Sequence, residues 1–132
     1  MKNILSPFHL AFPVKNLADT KEFYRDILGC SLGRTNKKWI DFNFLGHQIT
    51  AHLSPESFSL KDIANTVDGK NVPVRHFGLI LDWEDWHSIR DKLLKKKVTF
   101  IIDPYIRFKG EKGEQATLFI ADPSLNGIEL KS

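Results

Sequence analysis

The strongest constraint on the fold is a diverged internal repeat. His9-Leu10-Ala11-Phe12-Pro13-Val14 and His76-Phe77-Gly78-Leu79-Ile80-Leu81 open two stretches that run through the same order of elements. Their leading histidines lie 67 residues apart, a period too long for a solenoid, whose units span roughly 20–50 residues. In a chain of 132 residues that leaves room for two copies of one supersecondary unit and little else.

Each copy reads β-α-β-β-β. In the first, Phe8, Leu10, Phe12 and Val14 alternate, which puts them on one face of a strand and His9, Ala11 and Pro13 on the other. Asn16 is placed to cap a helix whose apolar face is Leu17, Phe23, Tyr24, Ile27 and Leu28, and Gly29 is placed to stop it. A short strand over 31–34 follows, then an alternating strand over 39–45 and, after Gly46, a returning strand over 48–53.

The second copy begins with a strand over 74–81. Asp82 then caps a helix with Trp86, Ile89, Leu93 and Leu94 on its apolar side and Lys95–Lys97 at its end, where cations suit the helix dipole. A strand over 98–102 is expected to stop at Asp103-Pro104. A polar loop over 109–113 precedes strands at 116–121 and 128–131, joined by a tight turn at Asn126-Gly127. Residues 55–73, rich in turn formers, read as a linker with one helical turn around 60–64. The expectation is one α+β domain over 1–132, with module 1 at 7–54, the linker at 55–73 and module 2 at 74–132.

Composition removes several functions. The net charge is +3, from 19 basic and 16 acidic residues, and the only dense basic cluster is Lys92 with Lys95–Lys97. That is too thin for the basic stripe of a nucleic-acid binder. No apolar run approaches the ~20 residues of a membrane span, and Met1–Pro7, short and broken, is not expected to act as a signal peptide. A single cysteine, Cys30, closes no intrachain disulfide, and its expected role is a small buried residue. These features predict a cytoplasmic protein with neither nucleic acid nor membrane as partner.

One histidine on a strand is ordinarily structural. Two at the same point of a repeated strand, His9 and His76, converge if the halves are related by a twofold axis. The closing strands add His52 and Glu129, which the sequence reads as matching points. Three histidines and a carboxylate suit a borderline divalent metal, with Fe²⁺, Mn²⁺, Ni²⁺ and Zn²⁺ all acceptable. The expected metal ligands are therefore His9, His52, His76 and Glu129, with Glu129 and His52 also moving protons. His47 lies on the other strand face from His52, and His87 lies mid-helix, so neither joins the set. Tyr105, Arg107 and Lys109 flank a glycine-containing loop and are candidates to clamp an anionic substrate. Trp39, Asp41 and Asn43 share a strand face that lines either a pocket or a subunit contact.

Several stretches together resemble the vicinal oxygen chelate superfamily, which includes glyoxalase I, extradiol dioxygenases, fosfomycin-resistance proteins and metal-free bleomycin-binding proteins. They are His9–Val14, Phe23-Tyr24-Arg25-Asp26-Ile27-Leu28-Gly29, His76-Phe77-Gly78-Leu79 and Asp122-Pro123-Ser124-Leu125-Asn126-Gly127-Ile128-Glu129-Leu130. The resemblance spans nearly the whole chain. It implies two βαβββ modules pairing into a U-shaped, barrel-like mixed sheet with helices outside, around one divalent metal per site. It also implies a homodimer, with modules paired inside a chain or exchanged between chains.

Within that group, Pro13 stands where glyoxalase I has a glutathione-binding arginine, and His52 stands for one of its glutamates. Phe119 stands where extradiol dioxygenases carry a tyrosine, at a position facing substrate. With four protein ligands a six-coordinate ion keeps two free positions, enough to chelate vicinal oxygens in a lyase or isomerase. Ring cleavage with dioxygen needs three, and so needs His52 off the metal. The expectation is a metal-dependent enzyme of glyoxalase/dioxygenase type. The alternative is a protein of the same fold that sequesters a small molecule without chemistry.

Overall fold

A computed structural model describes residues 5–56 and 64–132. The chain divides into two compact units, residues 1–60 and 61–132. Each holds one βαβββ module with a four-stranded mixed sheet.

In the first unit the strands are β1 (His9–Val14), β2 (Ser31–Thr35), β3 (Trp39–Phe44) and β4 (His47–Leu53), in the order β1-β4-β3-β2. β1 runs parallel to β4, and the other pairs are antiparallel. The connecting helix α1 (Leu17–Glu22) starts at Asn16, whose side-chain oxygen accepts from the Asp19 N–H at 2.9 Å, a cap of the kind that contributes about 1 kcal/mol. It continues into a single π turn, Phe23–Ile27. The wider turn ends where the Cys30 N–H reaches the Tyr24 carbonyl and Gly29 takes φ 79°, the left-handed C-terminal stop that glycine makes cheaply. Phe23 and Tyr24 are both buried, and Tyr24 lies between Phe12 and Phe42 with ring centroids 5.5 and 5.0 Å away. Burying side chains of this size contributes roughly 1.5–3 kcal/mol each, so this is the core that holds α1 to one face of the sheet.

The second unit repeats the plan. Its strands are β7 (His76–Ile80), β8 (Phe100–Arg107), β9 (Gln115–Ala121) and β10 (Gly127–Lys131), in the order β7-β10-β9-β8. The helix α2 (Trp83–Lys95) buries Trp86 and Leu93, and the Trp86 indole N–H donates to the Leu130 carbonyl at 2.8 Å. Leu94, expected on the same face, is half exposed. Asp82 stands at the N-cap with extended backbone, but its side chain makes no capping bond.

Three expectations change. The stretch 55–73 is not only a linker: β5 (Ala64–Val67) and β6 (Lys70–Pro73) form a hairpin. Its two-residue turn, Asp68-Gly69, has φ of 51° and 73°, the mirror-image turn that suits strand twist. The helical turn expected around 60–64 falls largely outside the described residues.

The strand expected to stop at Asp103-Pro104 runs on to Arg107. The register between β8 and β9 slips at that point, between Ile102 and Tyr105. β8 is an edge strand of its sheet, where a bulge accommodates a proline with no N–H to give. Finally, the turn before β10 is not made by Asn126-Gly127. Asp122 organises it, its carboxylate accepting from the backbone N–H groups of Ser124 and Asn126, and Leu125 takes the positive φ of 67°.

Candidate functional site

The face of each sheet away from its helix carries the polar residues. In the second unit β7 and β10 pair in parallel, with His76 opposite Gly127 and Gly78 opposite Glu129. His76 and Glu129 therefore sit on neighbouring strands one pleat apart, and their side chains meet. His76 Nε2 is 3.2 Å from Glu129 Oε2. The other ring nitrogen, Nδ1, is 2.7 Å from the Pro73 carbonyl. A carbonyl only accepts, so Nδ1 carries the hydrogen. Nε2 then faces a carboxylate oxygen with its lone pair, and that contact is favourable only with a proton or a cation between them. A histidine fixed by a backbone carbonyl through its second nitrogen is the usual arrangement of a metal-ligating imidazole.

The remaining contacts prepare Glu129 in the same way. Its Oε1 accepts from the Thr117 hydroxyl at 2.8 Å, and Lys131 Nζ lies 4.0 Å away. One oxygen is thus held within the sheet and the other is left for His76. Phe119, in register with Glu129, packs edge-on against the His76 ring. Gly78 is required here: a Cβ on it would lie 1.6 Å from the Glu129 carbonyl oxygen.

In the first unit β1 and β4 pair with His9 opposite Gln48, Ala11 opposite Thr50 and Pro13 opposite His52. Applying the register of the second unit, the counterpart of Gly78 is Ala11 and the counterpart of Glu129 is Thr50. His52 matches Lys131 instead. The equivalence read from the sequence is therefore off by one pleat. His52 lies four residues along from His9's partner, which at ~3.3 Å per residue is about 13 Å along the sheet. The structure does not bring His9 and His52 together. Thr50, on the polar face, donates its hydroxyl to Asp41 at 2.6 Å, and both residues are buried. Asp41 also borders a cleft of about 330 Å³ lined by Gly33, Arg34, Asn43 and Gln48 among others. Trp39 is the register partner of His52.

Among the described residues, no three or more His, Cys, Asp or Glu side chains stand together as a metal cage. The pair His76–Glu129 suits a divalent cation in donor type, and the second unit brings these two members of the expected set together. His47 accepts from the Phe8 N–H through Nδ1, and His87 bonds the Trp83 carbonyl and contacts the rings of Trp83 and Trp86.

The chain matches the Glyoxalase/Bleomycin resistance protein/Dioxygenase superfamily over residues 6–130. It belongs to that superfamily, the vicinal oxygen chelate group. Among solved structures, a glyoxalase/bleomycin resistance protein/dioxygenase from Alicyclobacillus acidocaldarius is 31% identical. The match covers 99% of this chain and 93% of that one, with a TM-score of 0.79. A genomically encoded fosfomycin resistance protein from Listeria monocytogenes shares the fold at 19% identity, with coverage of 97% and 93% and a TM-score of 0.70. A lactoylglutathione lyase from Agrobacterium tumefaciens does so at 16% identity, with coverage of 98% and 95% and a TM-score of 0.66. No curated protein matches the chain.

Superfamily members are often metal-dependent enzymes, and the two βαβββ modules are those of the vicinal oxygen chelate fold. No helix among the described residues is long and apolar enough to cross a membrane. Tyr105 and Arg107, marked from the sequence, lie on β8 and both reach Asp68. The Tyr105 hydroxyl is 3.1 Å and Arg107 Nε 2.7 Å from the same carboxylate oxygen. Burial, and then the bond to Asp68, push the Tyr105 phenol above its usual range. Sequence reading missed Asp68 and Thr117, and marked Asp41 only as sharing a strand face with Trp39 and Asn43. Asp68-Gly69 was visible as a turn, but nothing in sequence shows that the turn lands on β8.

Proposed function

We propose that the protein is a metal-dependent enzyme that binds a small substrate through two vicinal oxygens on a divalent ion held by His76, Glu129 and His9. The observation that carries this reading is the His76–Glu129 pair, whose facing groups leave a place that a proton or a cation fills and whose outer contacts to Pro73 and Thr117 hold both groups in place. His9 enters as the counterpart of His76 on the repeated strand. When bound, the ion, one of Fe²⁺, Mn²⁺, Ni²⁺ or Zn²⁺, would supply Lewis acidity toward the chelated oxygens.

The chain's own residues then divide the work. Thr117 keeps one Glu129 oxygen occupied, so Glu129 offers the other. Thr50 takes the place a second glutamate would hold, and its hydroxyl is committed to Asp41. A symmetric pair of carboxylates for proton shuttling at that position is therefore lacking, which disfavours a glyoxalase I isomerisation. His52, one pleat away, serves as an acid or base rather than as a ligand. That assignment leaves lyase-type addition and extradiol cleavage both compatible with the protein ligands. We also propose a homodimer in the cytoplasm.

Elemental analysis of the purified protein tests the central reading. About one divalent ion per chain is expected, lost in both His76→Ala and Glu129→Ala. Full retention in both variants sinks it. A substrate screen with the metal the protein holds follows.

A further inference from the structure

The second unit contains a carboxylate-binding pair that its own chain already fills. Tyr105 and Arg107 lie on the edge strand β8, in register with Thr117 and Gln115. Thr117 in turn pairs with Lys131, two residues beyond Glu129. The pair therefore stands on the sheet that holds the His76–Glu129 pair, two strands over from Glu129, about 10 Å at ~4.8 Å per strand.

The phenol O–H and the guanidinium Nε–H converge on one oxygen, Asp68 Oδ2, at 3.1 and 2.7 Å. Two donors, one of them charged, on one oxygen is how a protein holds a carboxylate. Lys70, on β6 of the same hairpin as Asp68, places its Nζ 4.8 Å from the centre of the Tyr105 ring. Asp68 itself is the first residue of the two-residue turn at the tip of the β5–β6 hairpin. Its side chain remains partly exposed, at 40%. It is a single carboxylate at the tip of a short hairpin, held by the Tyr105 hydroxyl and by the one positive charge of Arg107.

We infer that Tyr105 and Arg107 bind the carboxylate of a small organic acid, and that Asp68 occupies this place in the free protein. The inference rests on the proposed function for the other end of the same molecule, which binds vicinal oxygens near Glu129. The substrate is thus an acid whose carboxylate lies apart from its chelating oxygens, across two strands of the same sheet. On binding, the substrate displaces Asp68, and the hairpin tip is released from β8. The ion pair is partly exposed and weak, as surface pairs are, so an acid with a second point of attachment can displace it.

The test uses full-length protein with no metal added, so that it reads this end alone. Acetate is titrated at constant ionic strength while the Arg107 Nε–H resonance is followed by NMR. Wild type should show weak saturable binding. Asp68→Asn, which removes the competing charge, should lower the acetate Kd about fivefold, the range of a surface ion pair. Adding Arg107→Gln to Asp68→Asn should abolish binding, read on the remaining shifts of β8. Tyr105→Phe in the Asp68→Asn background, where the hydroxyl has only acetate to bind, should weaken acetate about twofold to fivefold, and Asp68→Ser, which removes the same charge, covers the case that Asp68→Asn perturbs folding.

Acetate binding no tighter in Asp68→Asn, or undiminished after Arg107→Gln, overturns the inference. Inorganic phosphate binding in place of acetate overturns the carboxylate assignment. Failure here leaves the metal reading intact, because that is judged by metal content in Glu129→Ala. Failure of the metal reading leaves this titration unchanged.

Discussion

Thr50 and Glu129 stand at the same point of two equivalent strands, and each is joined to the neighbouring antiparallel strand by a hydroxyl–carboxylate hydrogen bond. In the second module the hydroxyl of Thr117 supports Glu129 on the closing strand; in the first, the hydroxyl of Thr50 on the closing strand supports Asp41. Donor and acceptor have changed strands. The backbone is repeated, yet one module presents a carboxylate beside its leading histidine and the other has moved its carboxylate one strand further from His9. The difference teaches that a duplicated frame fixes where side chains stand, while single substitutions decide which half holds a ligand.

The largest effect that would break this comparison comes from deleting each member. Glu129→Ala should lower metal affinity by more than the ~10–100-fold typical of losing an outer partner, measured by competition with a chelator. Thr50→Ala and His52→Ala should leave it within a few-fold of wild type. Metal loss in His52→Ala equal to that in Glu129→Ala would restore the ligand set read from sequence and undo the register argument.

Next is the pair Gly78 and Ala11, which also occupy one position of the repeat. A Cβ on Gly78 meets the Glu129 carbonyl at 1.6 Å, whereas Ala11 already carries its Cβ. Gly78→Ala should therefore force β7 and β10 apart and cost about 3 kcal/mol or more in denaturant unfolding, in the range of serious backbone clashes. Ala11→Gly should cost only about 0.5–1 kcal/mol, the entropy of an added glycine. Equal costs would mean that the two strand pairs are not built alike.

The third effect separates support of a ligand from support of the fold. Thr117→Val frees Glu129 Oε1 and should reduce metal affinity by roughly 10–100-fold. Thr50→Val should spare the metal but destabilise the first module by about 1–3 kcal/mol, because it leaves the buried Asp41 carboxylate short of a partner.

These contrasts also mark how far the sequence could be read. The alternation of Phe8, Leu10, Phe12 and Val14 and the repeated order of elements revealed both modules, and His76 and Glu129 were legible as partners. The match of His52 to Glu129 failed for a definite reason. A slip of one residue turns every side chain to the other face, but a slip of two keeps the faces and changes only the row. Alternation cannot detect it; only the parallel pairing of β1 with β4 does. Likewise Asp103-Pro104 reads as a stop in any central strand, and its tolerance in β8 depends on β8 being an edge, which is a fact of topology. The Asp68 contact joins residues 37 and 39 apart in sequence, and no local pattern announces it.

The smallest effect concerns Tyr105, the module's outer polar group, which has no counterpart in the first unit because that unit lacks a hairpin on its edge strand among the described residues. Its phenol is raised above its ordinary 10.0, first by burial and then by the bond and charge of Asp68. A raised folded-state value means that the fold favours the protonated phenol. That contribution is complete below pH 10 and fades as pH climbs through the folded value. Asp68→Asn removes the charge but not the burial, so the phenol should fall part of the way back. Tyrosinate absorbance on alkaline titration reads this, with Tyr105→Phe as the blank that subtracts the signal of the other tyrosine, Tyr24. An unchanged midpoint in Asp68→Asn would show that the hairpin tip does not rest on Tyr105 in solution, and the carboxylate held between Tyr105 and Arg107 would lose its structural basis.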